Sequence, residues 1–236
     1  MNPNSVIHLV GGGPGAVGPM RRHFKNALAE LPTVRGQKPL VAYVGAASGD
    51  NAGFRRMIAG MMPSARVEPV MLAKKSAKVS AARTLLEDSD LIFVSGGDVH
   101  AGMGVLQGRG VDTDLRTMAQ AGKPMLGVSA GSLMLAQQWI HFPDDDSDDG
   151  VLFDCLGIAP VIVDAHSEDD DWSELQSLLR HRRRWDRTEL AMGLPRHGAL
   201  RIELKGKRSE LKALGVPLPR FTKRNGKVLA AAPLHP

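Results

Sequence analysis

Over the first 140 residues, short apolar runs alternate with stretches of helical periodicity. Residues 6–10, 39–44, 67–72, 91–95 and 125–128 are candidate buried strands, and several of them are nearly continuous apolar runs with little polar alternation. Strands of a parallel sheet covered on both faces read this way, because neither side of the pleat meets water. Between them, Met20, Phe24, Ala27, Leu28 and Leu31 recur at helical spacing, as do Phe54, Met57, Ile58, Met61 and Met62. A third helix is predicted from a Ser80 cap, with Ala81, Leu85 and Leu86 inward, and a fourth over about 112–121, stopped by Gly122 and Pro124. The strand at 125–128 leads into a helix expected over 130–139. Strand and helix alternating in this order predict a doubly wound α/β sheet, mostly parallel.

After Trp139 the pattern changes. An acidic loop, Asp144-Asp145-Asp146-Ser147-Asp148-Asp149, precedes a strand ending near Asp164 and a second acidic cluster, Glu168 to Asp171. A helix carrying Trp172, Leu175, Leu178 and Leu179 follows. The tail holds short strand-like pieces at 199–204, 210–214 and 228–231, with an Asn225-Gly226 turn. These predict an antiparallel extension at the edge of the same domain. The expected organisation is one domain over 1–236, with a core of about 6–204 and a basic C-terminal strand extension of about 205–236.

Composition narrows the class. With 43% hydrophobic and 23% charged residues, the 236-residue chain is in the ordinary globular range. Its one cysteine, Cys155, allows no internal disulfide and no cysteine-based zinc cluster, and no run reaches the length of a membrane span. The start lacks the positive charge of a signal peptide, so a cytoplasmic protein without membrane contact is expected. The net charge of +5 is uneven: residues 191–236 hold ten Lys/Arg against two acids, a local +8, leaving −3 on the rest. That tail has a single aromatic, Phe221, and no nucleic-acid module, so a solvated basic face is expected rather than a nucleic-acid surface.

The strongest chemical signal is Gly127-Val128-Ser129-Ala130-Gly131, a G-x-S-x-G motif between a buried strand and a helix. Small residues on both sides of the serine permit a sharp turn that lifts its hydroxyl clear of the sheet. The site then lies at the carboxyl edge of the strands, where open α/β sheets keep theirs. A serine hydroxyl needs a base to take its proton. Of eight histidines, His8 falls in a strand, His23 on a helix face, His181 in a basic run, and His141, His197 and His235 in loop or tail. His100 lies just after a glycine turn. His166 follows the apolar run 161–163 and emerges at a strand end, which makes it the candidate base. Candidate oxyanion donors are the N–H of Ala130 and one from Ser95-Gly96-Gly97-Asp98, where Asp98 equally suits a helix cap. Gly96 and Asp98 are also candidate substrate contacts.

Two weaker signals compete. Gly13 to Gly18 contains G-x-G-x-x-G after the first strand, but the second strand ends in Gly45-Ala46-Ala47-Ser48, without the acid that would hold a ribose. A tight first turn is the favoured reading. The acidic clusters lack the spaced, glycine-punctuated pattern of a calcium loop, so no metal is assigned. Beside the site they would repel acidic substrates and favour basic ones.

The segments F-V-S-G-G-D (93–98), G-V-S-A-G-S (127–132) and V-D-A-H (163–166) resemble the dipeptidase E and cyanophycinase family of serine peptidases. The resemblance runs over about 6–204. It implies a flavodoxin-like, class I glutamine-amidotransferase-like fold, with Ser129 as nucleophile, His166 as base and Gly97 with Ala130 as oxyanion donors. It further implies a small peptide or isopeptide substrate, no cofactor, and a monomer or homodimer. Three departures stand out. Arg196 replaces the Glu that orients the histidine in relatives; Ser167 replaces an aromatic; Glu168-Asp169-Asp170-Asp171 replaces an Arg-containing segment. The orienting acid is therefore open between Asp164, two residues before His166, and Asp144. The alternative is a catalytically degenerate domain that binds a ligand or a protein.

Overall fold

The computed structural model describes residues 5–32, 37–143, 150–183, 189–206 and 208–236. The first half alternates as the apolar pattern predicts. Strands β1 (Ser5–Val10), β2 (Leu40–Val44), β3 (Arg66–Val70), β4 (Leu91–Val94) and β5 (Met125–Val128) are joined through helices α1 (Val17–Ala29), α2 (Ala52–Met61), α3 (Val79–Asp88), α4 (Val99–Gly108) and α5 (Val111–Gln120). All five strands are mutually parallel in the spatial order β1-β5-β4-β2-β3.

Their side chains alternate between two cores. Leu91 and Phe93 of β4 point with Tyr43 and Leu126 toward α1 and α2, where Phe24 and Ile58 are buried. Ile92 and Val94 point the other way with Ile7 and Leu9, toward Leu86, Leu106 and Leu115 of α3, α4 and α5. Burying strands on both faces is what makes their sequences continuously apolar.

The second half departs from expectation. Helix α6 (Ala130–Leu135) is followed by a hairpin of β6 (Gln138–His141) and β7 (Val151–Asp154), then β8 (Ile162–Ala165), α7 (Ser173–His181) and β9 (Ala191–Leu194). Four strands close the chain: β10 (Ala199–Lys205), β11 (Arg208–Leu214), β12 (Leu218–Arg224) and β13 (Lys227–Leu234). Of the predicted antiparallel extension, β10 and β11 do lengthen the main sheet beside β1. Strands β12 and β13 do not: with β9 and β8 they form a separate four-stranded sheet.

Several local expectations are corrected. Helix α6 ends at Leu135 because Ala136 is extended (ψ −169°) and turns the chain into β6. Helix α3 starts at Val79 with Lys78 at its cap position and no capping side chain; it buries Ala82, not Ala81. On α2, Ile58 and Met61 are buried while Phe54 and Met57 are exposed. Among the described residues no helix is long and apolar enough to cross a membrane.

Candidate active site

Strand β5 delivers Ser129 to the carboxyl edge of the main sheet. Its backbone is held at φ 52°, ψ −125°, a conformation that costs a non-glycine residue about 1–3 kcal/mol. The surroundings enforce it. A Cβ on Gly131 would lie 2.0 Å from the Val94 carbonyl oxygen, and one on Gly127 would lie 2.7 Å from the Gly131 backbone. Strand, turn and helix thus approach more closely than any side chain allows, which explains both glycines of the motif. The Ser129 N–H donates to Val10 O at 3.0 Å. The fully buried Ser132 hydroxyl accepts from Val10 N–H and donates to Val10 O, tying the start of α6 to the end of β1.

His166 arrives from the other sheet. Strand β8 ends at Ala165, and His166 follows with φ 50°, its N–H donating to Leu194 O of β9 at 2.8 Å. Its Nε2 lies 2.8 Å from Ser129 Oγ. Gly13, at φ 95° in the turn after β1, backs the imidazole; a Cβ there would stand 3.0 Å from His166 Cγ. The glycine-rich turn is therefore a close-packed support at the sheet's carboxyl edge.

The two candidates for the orienting acid fare differently. Asp144 lies outside the described residues. Asp164 lines the same cavity but does not bond to His166: its Oδ1 accepts from Ala165 N–H at 2.6 Å and Ser167 Oγ at 3.2 Å. Residues two apart share a face only while a strand continues, and the chain turns left-handed at His166. Among the described residues, the bond to Ser129 is the one the His166 ring makes. Arg196 donates its N–H to Glu168 Oε1 at 3.1 Å and pairs its guanidinium with Glu168 and Asp169. The second acidic cluster is thereby divided: two of its carboxylates face Arg196, and Asp170 lines the cavity.

The glycine turn after β4 closes the other side of Ser129. A Cβ on Gly96 would stand 3.2 Å from Ser129 Cβ, and Gly97, at φ 141°, rests against the Ala47 carbonyl. Asp98 is the cap of α4, its Oδ1 accepting from Ala101 N–H at 2.7 Å, and it lines the cavity as well. Ala130, first residue of α6, has an N–H without an intrahelical acceptor. Gly97, Ala130, Ser129 and His166 all line one cavity of about 780 Å³.

That cavity has an acidic end. Asp164, Asp170 and Glu174 line it, and among the described residues no lysine or arginine does. Burial, reinforced by the charges of Glu174 and Asp170, pushes the Asp164 carboxyl up to about 7. Burial and then Asp170 raise Glu174 in the same direction. Two further histidines line the rim: the His100 and His141 rings stack at 4.3 Å and 3°. The sequence offered Gly13 only as part of a weak dinucleotide motif and His100 and His141 only as separate loop residues, and it did not single out Ser132 or Glu174. An acid in the first turn of a helix is ordinary, so Glu174 carries no signal of its own.

A model of the family described as Peptidase family S51 matches residues 8–209. The chain is 30% identical over 131 residues to the pyridoxal 5'-phosphate synthase subunit PdxT of Haloquadratum walsbyi; the match covers 56% of this chain and 55% of that protein's length. So the chain spans about half the length of that curated relative. Among solved structures, it resembles a peptidase from an acI-B1 Actinobacterium, with TM-score 0.68 and 20% identity over 99% of this chain and 98% of the other. It also resembles a putative peptidase E protein from Listeria monocytogenes, with TM-score 0.63 and 16% identity over 89% of this chain and 99% of that one. At these identities the structural likeness speaks for the fold.

Proposed function

The chain belongs to peptidase family S51, and on that premise we propose that it is a serine-type peptidase acting on small peptides, with Ser129 as nucleophile on a nucleophile elbow and His166 as its base. The observation that carries this reading is the 2.8 Å contact between Ser129 Oγ and His166 Nε2 at the wall of a cavity large enough for a small peptide.

In the acylation step Ser129 Oγ attacks the scissile carbonyl carbon as His166 Nε2 takes the hydroxyl proton. For this the ring must carry its own proton on Nδ1. The carbonyl oxygen becomes an oxyanion, which accepts from the Gly97 and Ala130 N–H groups and is stabilised by the positive end of α6. His166 then gives its proton to the departing amine nitrogen, and the C–N bond breaks. Water, deprotonated by the same ring, hydrolyses the acyl-serine and restores both side chains.

The ring is oriented here by packing on Gly13 and by the left-handed turn at His166. A Ser–His pair with an oxyanion site keeps part of a triad's rate enhancement. The test is a dipeptide panel, including aspartyl and isoaspartyl substrates, run on the wild type and Ser129→Ala. A fluorophosphonate probe would label the wild type. Turnover surviving in the variant would overturn the mechanism; the absence of both turnover and labelling in the wild type would favour a binding module.

A further inference from the structure

One end of the cavity is built from carboxylates that the proposed chemistry does not use. Asp164 is 2% exposed, and its Oδ2 has no hydrogen-bond partner. Asp170 accepts from Trp172 N–H and Ser173 Oγ. Glu174 stands a turn further on, in α7. The three carboxylates are close enough to act on one another's charge. Among the described residues no group of three such side chains is arranged to hold a metal ion, and no Lys or Arg lines the cavity to neutralise these. Elsewhere the chain pairs its acids readily: Asp112 with Arg116, Asp114 with Arg83, Glu30 with Arg201. The unpaired cluster, with a buried oxygen left over, is open to a cation brought by the substrate.

Resting on the peptidase reading above, we propose that the site selects peptides bearing a cationic nitrogen, an ammonium or guanidinium, which docks between Asp164, Asp170 and Glu174 beside the scissile bond. A substrate carboxylate at the same position would face three acidic side chains, with no Lys or Arg among the described lining residues to receive it, and be refused. The apolar wall of Leu133, Trp139 and Ile140 gives the aliphatic stem of such a side chain a surface to lie on.

The nitrogen can belong to a side chain or to a free amino terminus, and one set of ligands separates the two. Lysyl-leucine, norleucyl-leucine, glutamyl-leucine and the N-acetyl forms of the first two are titrated by calorimetry into Ser129→Ala, which keeps the cavity but cannot form the acyl-serine. Their turnover by the wild type is measured alongside. The expected result is at least tenfold tighter binding of lysyl- than norleucyl-leucine, with glutamyl-leucine weakest. If the preference for lysine survives N-acetylation, the side chain is the docked group; if acetylation abolishes binding of both, the amino terminus is. Adding Asp170→Asn and Glu174→Gln should bring the lysyl and glutamyl ligands to within about threefold of each other. Equal binding of the lysyl, norleucyl and glutamyl peptides, or preference for the glutamyl one, overturns the selectivity. Because binding is read without turnover, a failed peptidase reading appears separately, as absent hydrolysis by the wild type.

Discussion

The two halves of the site are held in opposite ways. Ser129 belongs to the main sheet, where Gly127, Gly131, Val94 and Val10 interlock backbone against backbone, so its position is fixed several times over. His166 belongs to the smaller sheet, reached past the end of a four-residue strand, and is set by one N–H to Leu194 and by the Gly13 backing. A nucleophile in a strained conformation needs a rigid frame. The proposed base, carried by a second sheet, is placed by fewer contacts, and both side chains line the same cavity. Damage to the frame around Ser129 should therefore register as lost stability, and damage to the supports of His166 as lost turnover.

The largest effect should come from the reacting pair. Ser129→Ala and His166→Ala should each lower kcat by roughly 10³-fold or more, and the double variant should be no worse than the poorer single one, since the two act as a unit. Additive losses would show that they do not. Next is the buried acid. The Asp164 carboxyl rises from 3.8 to about 7 on folding, so the folded state holds its proton over a range where the unfolded chain has lost it. The stability this confers is complete below about pH 4 and disappears as the pH rises through 7. Against Asp164→Asn, the wild type should lose on the order of 4 kcal/mol between pH 4 and 8. Urea unfolding at three pH values reads this, and parallel curves would refute it. On the nucleophile side, Gly131→Ala forces a Cβ to 2.0 Å from a backbone oxygen and should cost about 3 kcal/mol of stability. A variant that unfolds at the wild-type denaturant concentration would mean that the frame yields.

The same contrast governs what the sequence revealed. Strands β1, β2, β4 and β5 were legible because covering both faces makes them nearly continuously apolar, whereas β3, at the sheet edge, buries only Val70; the motif around Ser129 was legible because close backbone approach demands glycine at fixed spacing. Helix α4 was missed since Gly102, Gly104 and Gly108 depress helical propensity. Gly102 nevertheless has a tertiary reason, because a Cβ there would meet Met134 and Ala47 within 3 Å. Strand β13 stands at the edge of the small sheet with β12 next to it, half-exposed and with Pro219 and Pro233 inside them; the piece at 228–231 was legible as strand, but nothing in these patterns marks β12 or assigns the pair to a separate sheet. The place of His166, just past the end of a strand and beside Ser129, was legible from the apolar run before it. Asp164 makes no bond to His166, because the strand that would put the two on one face stops one residue short of the histidine. Nor does any sequence pattern announce that Glu174 and Asp170 will meet Asp164 across a turn.

Gly13 sharpens the comparison most finely, because it belongs to the main sheet's first turn yet supports the base. Gly13→Ala places a methyl 3.0 Å from His166 Cγ at φ 95°. Backbone strain alone accounts for about 1 kcal/mol of stability. Gly15 supplies the control: at φ 79°, with nothing within 4 Å of the point its Cβ would occupy, Gly15→Ala adds similar strain without touching the ring. Both variants should lose about 1 kcal/mol in urea unfolding. Gly13→Ala should also lose at least tenfold in kcat, as expected when a base is displaced by a fraction of an ångström, while Gly15→Ala keeps wild-type turnover. Equal kcat in the two variants would show that the imidazole does not depend on this backing, and that the smaller sheet places its histidine unaided.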